Sequence, residues 1–389
     1  MQIFKGCLWG LLLITCWVMG IKYEIDLVVL HATAQFLQTD YTRVYAQNGA
    51  LGRYFYGPFS LVLIKPLGFF SFPIVKYFWL CLQTFCLFIF WRGLTTLYPF
   101  LKDKKCFWGW LLIWIISINP IHNNFQSNNI QIMLGALLIV AEQLTRKDSS
   151  KRETLGGLLV TFAAGIKVFP AFLVIYYFLA RNNATKKGII LGCLYVALLP
   201  FPIFGIQPTL FLYGGFFSNL TNYSVENGLI KINDILCLPS LLARLGFSAT
   251  SGHILVLIIS ALFFITVLCA RRTFKVNKFL EPHFLAMAWA LSIFLNPSSR
   301  PHYFIFYIPA FCSILEVIYS HSRTWVLTLG LIMSTLMIAF TAEGVVGKHW
   351  NEILEAASIP TYGMLLLIIV LAVAIEKDRK TTRNSLPSN

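Results

Sequence analysis

Asp26 and His31 follow the first apolar run of the sequence, which covers residues 3–21. Asp26 lies about one helical turn beyond that run, and His31 comes five residues later. A carboxylate or an imidazole can accept a proton from a hydroxyl nucleophile, so either side chain could act as a general base. Ionisable groups near hydrocarbon are costly and are functional candidates by default, although Asp26 could also be only the solvated flank of the run.

Further polar side chains interrupt later apolar segments. Lys167 lies in AAGIKVFP, and Arg300 and His302 lie in NPSSRPHYF at a break between two apolar runs. Lys and Arg bind phosphate, while the amides of Gln126 and Asn129 in NPIHNNFQSNNIQ could bind the hydroxyl groups of a sugar. The combination predicts a cavity for an anionic, lipid-linked sugar.

Each of these residues also has a structural interpretation. Lys167 can snorkel or pair with a carboxylate inside a helical bundle. His302 can hydrogen-bond only a loop carbonyl, and the amides of 119–131 can cap helix ends. The nine cysteines are scattered without the spacing of metal ligands, so we expect neither a tightly bound metal nor a cofactor.

The composition identifies the elements that must position these residues. Of the 389 residues, 57% are hydrophobic and 12% are charged, whereas soluble domains are about half apolar and a quarter charged. The net charge of +15 arises from basic residues between apolar runs, which favours a lipid bilayer over nucleic acid as the partner. The sequence therefore predicts a polytopic membrane protein.

Apolar runs of suitable length predict an all-α integral membrane helical bundle with about eleven to twelve spans. Two other apolar pieces, 58–70 and 235–245, are expected to be re-entrant or interfacial. The candidate spans are 4–21, 72–93, 107–120, 130–145, 154–166 with 168–180, 187–204, 251–270, 282–296, 303–320, 324–341 and 361–375.

The distribution of Lys and Arg predicts the orientation of the chain. With the N-terminus inside, about two thirds of the 31 basic residues fall on inner segments. Long connections at 22–71 and 205–250 then face outward. We expect one transmembrane domain at 1–376 and a polar, disordered cytoplasmic tail at 377–389.

The order of several short motifs resembles the GT-C superfamily of membrane glycosyltransferases and, within it, glycosyltransferase family 87. The family's Asp after the first span and the Tyr further on are matched by Asp26 and Tyr45. Its Y-P-P-L pattern is matched by YGPF from Tyr56, its G-Q-x-N pattern by QSNN from Gln126, and its A-x-K-x-Y-P pattern by residues 165–170. Its S-P-x-S-W-x-H-H segment resembles residues 296–303, although Arg300 replaces the Trp and a Tyr replaces the second His.

This resemblance covers roughly residues 5–320 and implies a GT-C-like fold and a hexosyltransferase. Such an enzyme transfers a hexose such as mannose from a polyprenyl-phosphate donor to a glycolipid or glycan hydroxyl, with inversion. It would face outward from the bacterial inner membrane. Asp26 and His302 would be catalytic at one centre, and the sequence leaves open which of them is the base. The substrate-binding residues would be Lys167, Arg300, Gln126, Asn129, Tyr45, Tyr56 and His31.

A transporter or flippase of a lipid-linked sugar is the alternative from another functional class. It would also need Lys167 and Arg300 in a cavity, but it would not need Asp26 at the membrane boundary.

Overall fold

The computed structural model describes residues 2–23, 25–45, 56–147, 149–226, 235–276, 280–297, 299–321, 324–341 and 343–385. These residues form α-helices that are joined by turns and short 3-10 helices, with no β-strand in the described ranges. The prediction of an all-α protein is confirmed. Helices satisfy their own backbone polar groups, as segments within hydrocarbon must.

The apolar helices confirm a polytopic integral membrane protein, whereas the number of spans stays a prediction. Shorter apolar helices of 10–17 residues cover Pro58–Phe69, Gln131–Thr145, Ala171–Ala180, Leu280–Phe294 and Trp325–Ala339. Within the described ranges, six helices are long and apolar enough to cross a membrane: Phe4–Lys22, Phe72–Leu97, Asn183–Phe204, Thr250–Arg271, Pro301–Ser320 and Ile359–Lys380.

The helices group into two units, and the expected single domain at 1–376 stays a prediction. The first unit contains Met1–Gly93 and Ile121–Asn227, and the second contains Leu94–Pro120 and Gly228–Asn389. The first eleven helices are α1 (Gln2–Lys22), α2 (Ile25–Thr39), α3 (Pro58–Ile64), α4 (Phe72–Leu97), α5 (Phe107–Ser127), α6 (Gln131–Thr145), α7 (Ser150–Ile166), α8 (Ala171–Ala180), α9 (Asn183–Leu198), α10 (Pro200–Phe204) and α11 (Ile206–Glu226). The remaining helices are α12 (Leu238–Arg244), α13 (Ala249–Val276), α14 (Leu280–Phe294), α15 (Ile308–Ser320), α16 (Trp325–Ala339), α17 (Glu343–Val346), α18 (Lys348–Ala356) and α19 (Ile359–Ser385).

An apolar cluster in the first unit holds α2 in place. Leu27, Leu30 and Ala34 recur at helical spacing, so they lie on one buried face of α2. Burying each large side chain contributes about 1.5–3 kcal/mol, which fixes α2 and the residues at its N-terminus. The partners of this face come from α3, α4, α11 and the residues that follow α2, and they are Val44, Tyr45, Leu61, Ile64, Val75, Trp79, Leu212 and Phe216.

Glycines allow α7 and α9 to pack at very short range. A Cβ atom on Gly188 would lie 1.9 Å from the carbonyl oxygen of Thr154, and one on Gly157 would lie 2.2 Å from that of Thr185. Backbone atoms cannot give way as a flexible side chain can. The close contact between the two helices therefore requires glycine at both positions.

A buried ionic cluster joins α6 to the end of α8. Glu142 is fully buried and accepts hydrogen bonds from the guanidinium groups of Arg146 and Arg181, at 2.5 and 2.6 Å. The hydroxyl of Tyr177 donates to the same carboxylate at 2.8 Å. Such a group tolerates burial because every charge has a partner.

Two regions differ from the expectations drawn from the sequence. Residues 206–226, which lie in the long connection expected at 205–250, form helix α11, although Gly214 and Gly215 interrupt its apolar pattern. A Cβ atom on Gly215 would lie 3.0 Å from the side chain of Tyr45, so this glycine serves helix packing and does not break the helix. Tyr45 is consequently covered by α11.

The polar segment after Glu376 is helical to Ser385 and is not disordered as expected; residues 386–389 lie outside the described ranges. Asp378 lies 2.9 Å from Nε2 of His321, and Arg379 donates to Glu376 at 2.8 Å. These contacts extend α19 beyond its apolar part. The cytoplasmic location of this segment stays a prediction.

The apolar segments at 58–70 and around Lys167 each contain two helical pieces. The first consists of α3 followed by the 3-10 helix Lys65–Phe69, and the second consists of α7 followed by α8. The apolar piece at 235–245 contains helix α12. The depth of these pieces in a membrane stays a prediction.

Candidate active site

Asp26 lies in the first turn of α2, where its side chain is half-buried. The N-terminus of a helix favours a negative charge because the unpaired N–H groups of its first turn point towards it. Nδ2 of Asn129 donates a hydrogen bond to Oδ2 of Asp26 at 2.5 Å, across 103 residues of sequence. The structure thus brings together two of the residues that the sequence identified.

Asn128 connects the turn between α5 and α6 to the junction of α1 and α2. Its backbone is left-handed, with φ of 52°, a conformation that Asn adopts more readily than most residues. Its Nδ2 donates to the carbonyl oxygens of Gly20 and Tyr23, at 3.0 and 2.8 Å. Its own carbonyl oxygen accepts from Nε1 of Trp79 at 2.9 Å. These bonds anchor the turn to the segment that precedes Asp26.

Asn129 is 3% exposed and has both ends of its amide engaged. Oδ1 accepts from the backbone N–H of Ile130 at 2.8 Å, just before α6 begins, whereas no side chain caps the first turn of α6. Gln126 lies near the end of α5 and is half-buried. Whether either amide binds substrate stays a prediction.

Lys167 meets two of the predicted aromatic residues at the break after α7. Its backbone is extended, with φ of −141° and ψ of 139°, and ends the helix. Its Nζ lies 5.1 Å from the ring centroid of Tyr56, which is a cation–π contact. The hydroxyl of Tyr45 donates to the carbonyl oxygen of Tyr56 at 2.8 Å. Lys167, Tyr56 and Tyr45 therefore form one group in the first unit.

Helix α11 supports this group. This support was not predicted from the sequence, because residues 205–250 were expected to form a long connection. Asn219 donates to the carbonyl oxygen of Tyr45 at 3.3 Å, and the ring of Phe216 lies 6.3 Å from that of Tyr45. Leu212, Gly215, Phe216 and Asn219 recur at helical spacing, a signal that could have identified α11.

His31 is 7% exposed and contacts the chain at the start of α4. Its Nε2 lies 3.0 Å from the carbonyl oxygen of Phe70, and its ring meets that of Phe72 edge to face at 5.4 Å. These contacts hold α2 against α4. The expected part of His31 in substrate binding stays a prediction.

Arg300 and His302 belong to the second unit. Arg300 is exposed and precedes the 3-10 helix Pro301–Tyr307, in which His302 is half-buried with its ring 4.8 Å from that of Tyr303. The neighbouring Ser299 is buried, and its carbonyl oxygen accepts from the N–H of Leu236 at 2.8 Å. This bond fixes the start of the segment. That Asp26 and His302 act at one centre stays a prediction.

Comparison with known proteins adds independent information. The sequence profile of glycosyltransferase family 87 matches residues 54–297, which include Tyr56, Gln126, Asn129 and Lys167. Asp26, Arg300 and His302 lie outside the matched range. No solved structure matches the chain.

A curated relative also matches part of the chain. It is a polyprenol-phosphate-mannose-dependent alpha-(1-2)-phosphatidylinositol mannoside mannosyltransferase from Mycolicibacterium smegmatis. The two sequences are 23% identical over 245 residues, which is 61% of this chain and 51% of the relative. The match thus spans about half the length of the relative.

Proposed function

The chain belongs to glycosyltransferase family 87, and from this premise we propose that it transfers a hexose such as mannose from a polyprenyl-phosphate donor. The acceptor is a hydroxyl group of a glycolipid or glycan. The name of the mannosyltransferase relative supports this donor class. The reaction takes place at the outer face of the bacterial inner membrane and inverts the anomeric carbon.

The observation that carries the proposal is the held carboxylate of Asp26 at the N-terminus of α2. Asp26 removes the proton of the acceptor hydroxyl while the hydroxyl oxygen forms a bond to the anomeric carbon. The bond from that carbon to the phosphate oxygen breaks at the same time, and its electron pair leaves with the polyprenyl phosphate. One displacement of this kind inverts the anomeric carbon without a covalent enzyme intermediate.

Lys167 is the candidate that binds the donor phosphate. The leaving polyprenyl phosphate gains negative charge in the transition state, and a fixed cation stabilises charge as it develops. The cation–π contact with Tyr56 restricts the ammonium group before the donor binds. Arg300 is a second candidate because an exposed guanidinium can bind phosphate through two hydrogen bonds.

His302 is the alternative base. A neutral imidazole accepts protons near physiological pH, so this half-buried side chain could perform the same step. We expect His302→Ala to lower turnover by about 10²–10⁴-fold, the range for losing a general base.

The Asp26→Asn variant tests the role of the carboxylate. It preserves shape but removes the basic oxygen, so we expect turnover to fall by about 10²–10⁴-fold with little change in donor binding. The measurement is transfer of labelled mannose from a synthetic polyprenyl-phosphate donor by purified protein in detergent. Asp40→Asn is the matched control, because Asp40 caps a 3-10 helix by accepting from Thr42, and Asn caps equally well.

Two outcomes would contradict the proposal. Near-normal turnover of a folded Asp26→Asn protein would exclude this carboxylate as the base. Failure of the wild-type protein to transfer mannose in detergent, with movement of the lipid-linked sugar across proteoliposomes, would support a flippase instead. Product analysis by NMR must also show an inverted anomeric configuration.

A further inference from the structure

Asn129 was expected to bind substrate, but its contacts favour a different role. We propose that Asn129 is a positioning residue that sets the orientation of the Asp26 carboxylate. This inference rests on the proposed function, which assigns Asp26 as the base. It goes further by naming the group through which the protein controls that base.

The amide of Asn129 can meet Asp26 in only one orientation. Its Oδ1 accepts from the N–H of Ile130 at 2.8 Å, which leaves Nδ2 to donate to Asp26. If the amide rotated by half a turn, its oxygen would face the carboxylate and two acceptors would be opposed. The bond to Ile130 therefore selects the donor that Asp26 needs.

The backbone that carries this amide is also held. The N–H of Asn129 donates to the carbonyl oxygen of Asn124 at 2.9 Å, within the last turns of α5. The adjacent Asn128 is bound to Gly20, Tyr23 and Trp79. The amide is thus attached to α1, α4 and α5 and gives Asp26 a fixed reference point.

A carboxylate that accepts a directed hydrogen bond through Oδ2 cannot rotate freely about its terminal torsion. The same bond therefore sets where both oxygens of Asp26 point. A base must lie within hydrogen-bond reach of the proton that it removes, and a displacement of about 1 Å can cost on the order of 10²-fold in rate. The hydrogen bond acts on turnover through this geometry.

Asn129→Ala and Asn129→Asp in the full-length protein test the role. Loss of a hydrogen bond to a charged group corresponds to roughly a 10- to 100-fold fall in kcat. We expect the donor KM to change by less than about threefold, because the amide does not hold the donor. The matched control is Asn182→Asp, since Asn182 caps α9 by accepting from Thr185 and Asp does the same.

A double variant separates positioning from substrate binding. In an Asp26→Asn background, adding Asn129→Ala should change the residual turnover by less than about threefold, because residues that act as a unit are not additive. Multiplying effects would overturn the proposal. A raised donor KM with unchanged kcat in Asn129→Ala would also overturn it and would restore the role of substrate binder.

The reversed pair Asp26→Asn/Asn129→Asp provides a readout that does not depend on activity. The amide and the carboxylate exchange places, so the hydrogen bond re-forms and the Tm lost in Asn129→Asp alone should largely return. Turnover should stay low because the carboxylate has moved. If the Tm does not recover, the contact is absent and the inference fails, even if hexose transfer by the wild-type protein supports the proposed function.

Discussion

Lys167 carries the clearest prediction at the scale of single residues. Removing its ammonium group should weaken binding of a polyprenyl-phosphate donor by roughly 10- to 100-fold, the cost of a hydrogen bond to a charged group. Binding of the acceptor should change less. Donor affinity of Lys167→Ala, measured by equilibrium binding in detergent, checks this expectation.

Lys151→Ala is the control for that measurement. Lys151 is exposed in the first turn of α7, at the opposite end of the helix that Lys167 terminates. Both substitutions remove one positive charge from nearly the same element, so only a local contact should distinguish them. Equal donor affinity in both variants would mean that the cation–π contact of Lys167 with Tyr56 is structural.

The sequence identified residue types better than residue partners. Asp26, Asn129 and Lys167 were noticeable because charged and amide side chains are rare beside long apolar runs. Their partners lie far away in sequence, since Asp26 and Asn129 are 103 residues apart and no periodic pattern connects them. For the same reason, the contact of His31 with the Phe70 carbonyl could not have been predicted.

At the scale of elements, alanine substitutions of a glycine between α7 and α9 and of a glycine in α11 can be compared. Gly188→Ala would place a methyl group against the backbone of Thr154, so we expect a loss of roughly 1–3 kcal/mol. Gly214→Ala meets no other atom within 4 Å, and Ala is favoured in a helix by roughly 0.5–1 kcal/mol. Thermal unfolding in detergent should therefore show a lower Tm for the first variant and an unchanged or higher Tm for the second.

A similar Tm for both alanine variants would contradict the close packing of α7 on α9.

Some of the helices could be predicted from the sequence and others could not. Continuous apolar runs predicted helices such as α4 and α13 because hydrocarbon requires internal backbone bonding. Helix α11 was missed because residues 205–250 were expected to form a long connection, and the role of Gly215 in helix packing depends on Tyr45, which is distant in sequence.

At the scale of the whole molecule, labelling of single cysteines tests the orientation in the membrane. The distribution of basic residues predicts that Ser218 faces outward and that Lys151 faces inward. Each position should be changed to Cys in a variant that lacks the exposed native cysteines Cys7, Cys81, Cys193 and Cys269. An impermeant thiol reagent should label Ser218→Cys in intact cells and Lys151→Cys only after permeabilisation.

Labelling in the reverse pattern would show that the proposed active site faces the cytoplasm.

That the chain is a membrane protein was predictable from its composition, because a chain with 57% hydrophobic and 12% charged residues cannot bury its apolar surface as a soluble domain. The division into two units was not predictable. It depends on which helices pack together, and contacts such as the one between Gly188 and Thr154 become visible only in three dimensions.

The turn at Asn128 and Asn129 also has a consequence for biosynthesis. Asp26 leaves the ribosome 103 residues before Asn129, an interval of about 5–20 s at a synthesis rate of roughly 5–20 residues per second. During that time α1 and α2 have been synthesised, while the amides that later bind Gly20, Tyr23 and Asp26 do not yet exist. Asp26 therefore gains its hydrogen bond to Asn129 only after the turn between α5 and α6 has been synthesised, and a shorter nascent chain lacks that bond.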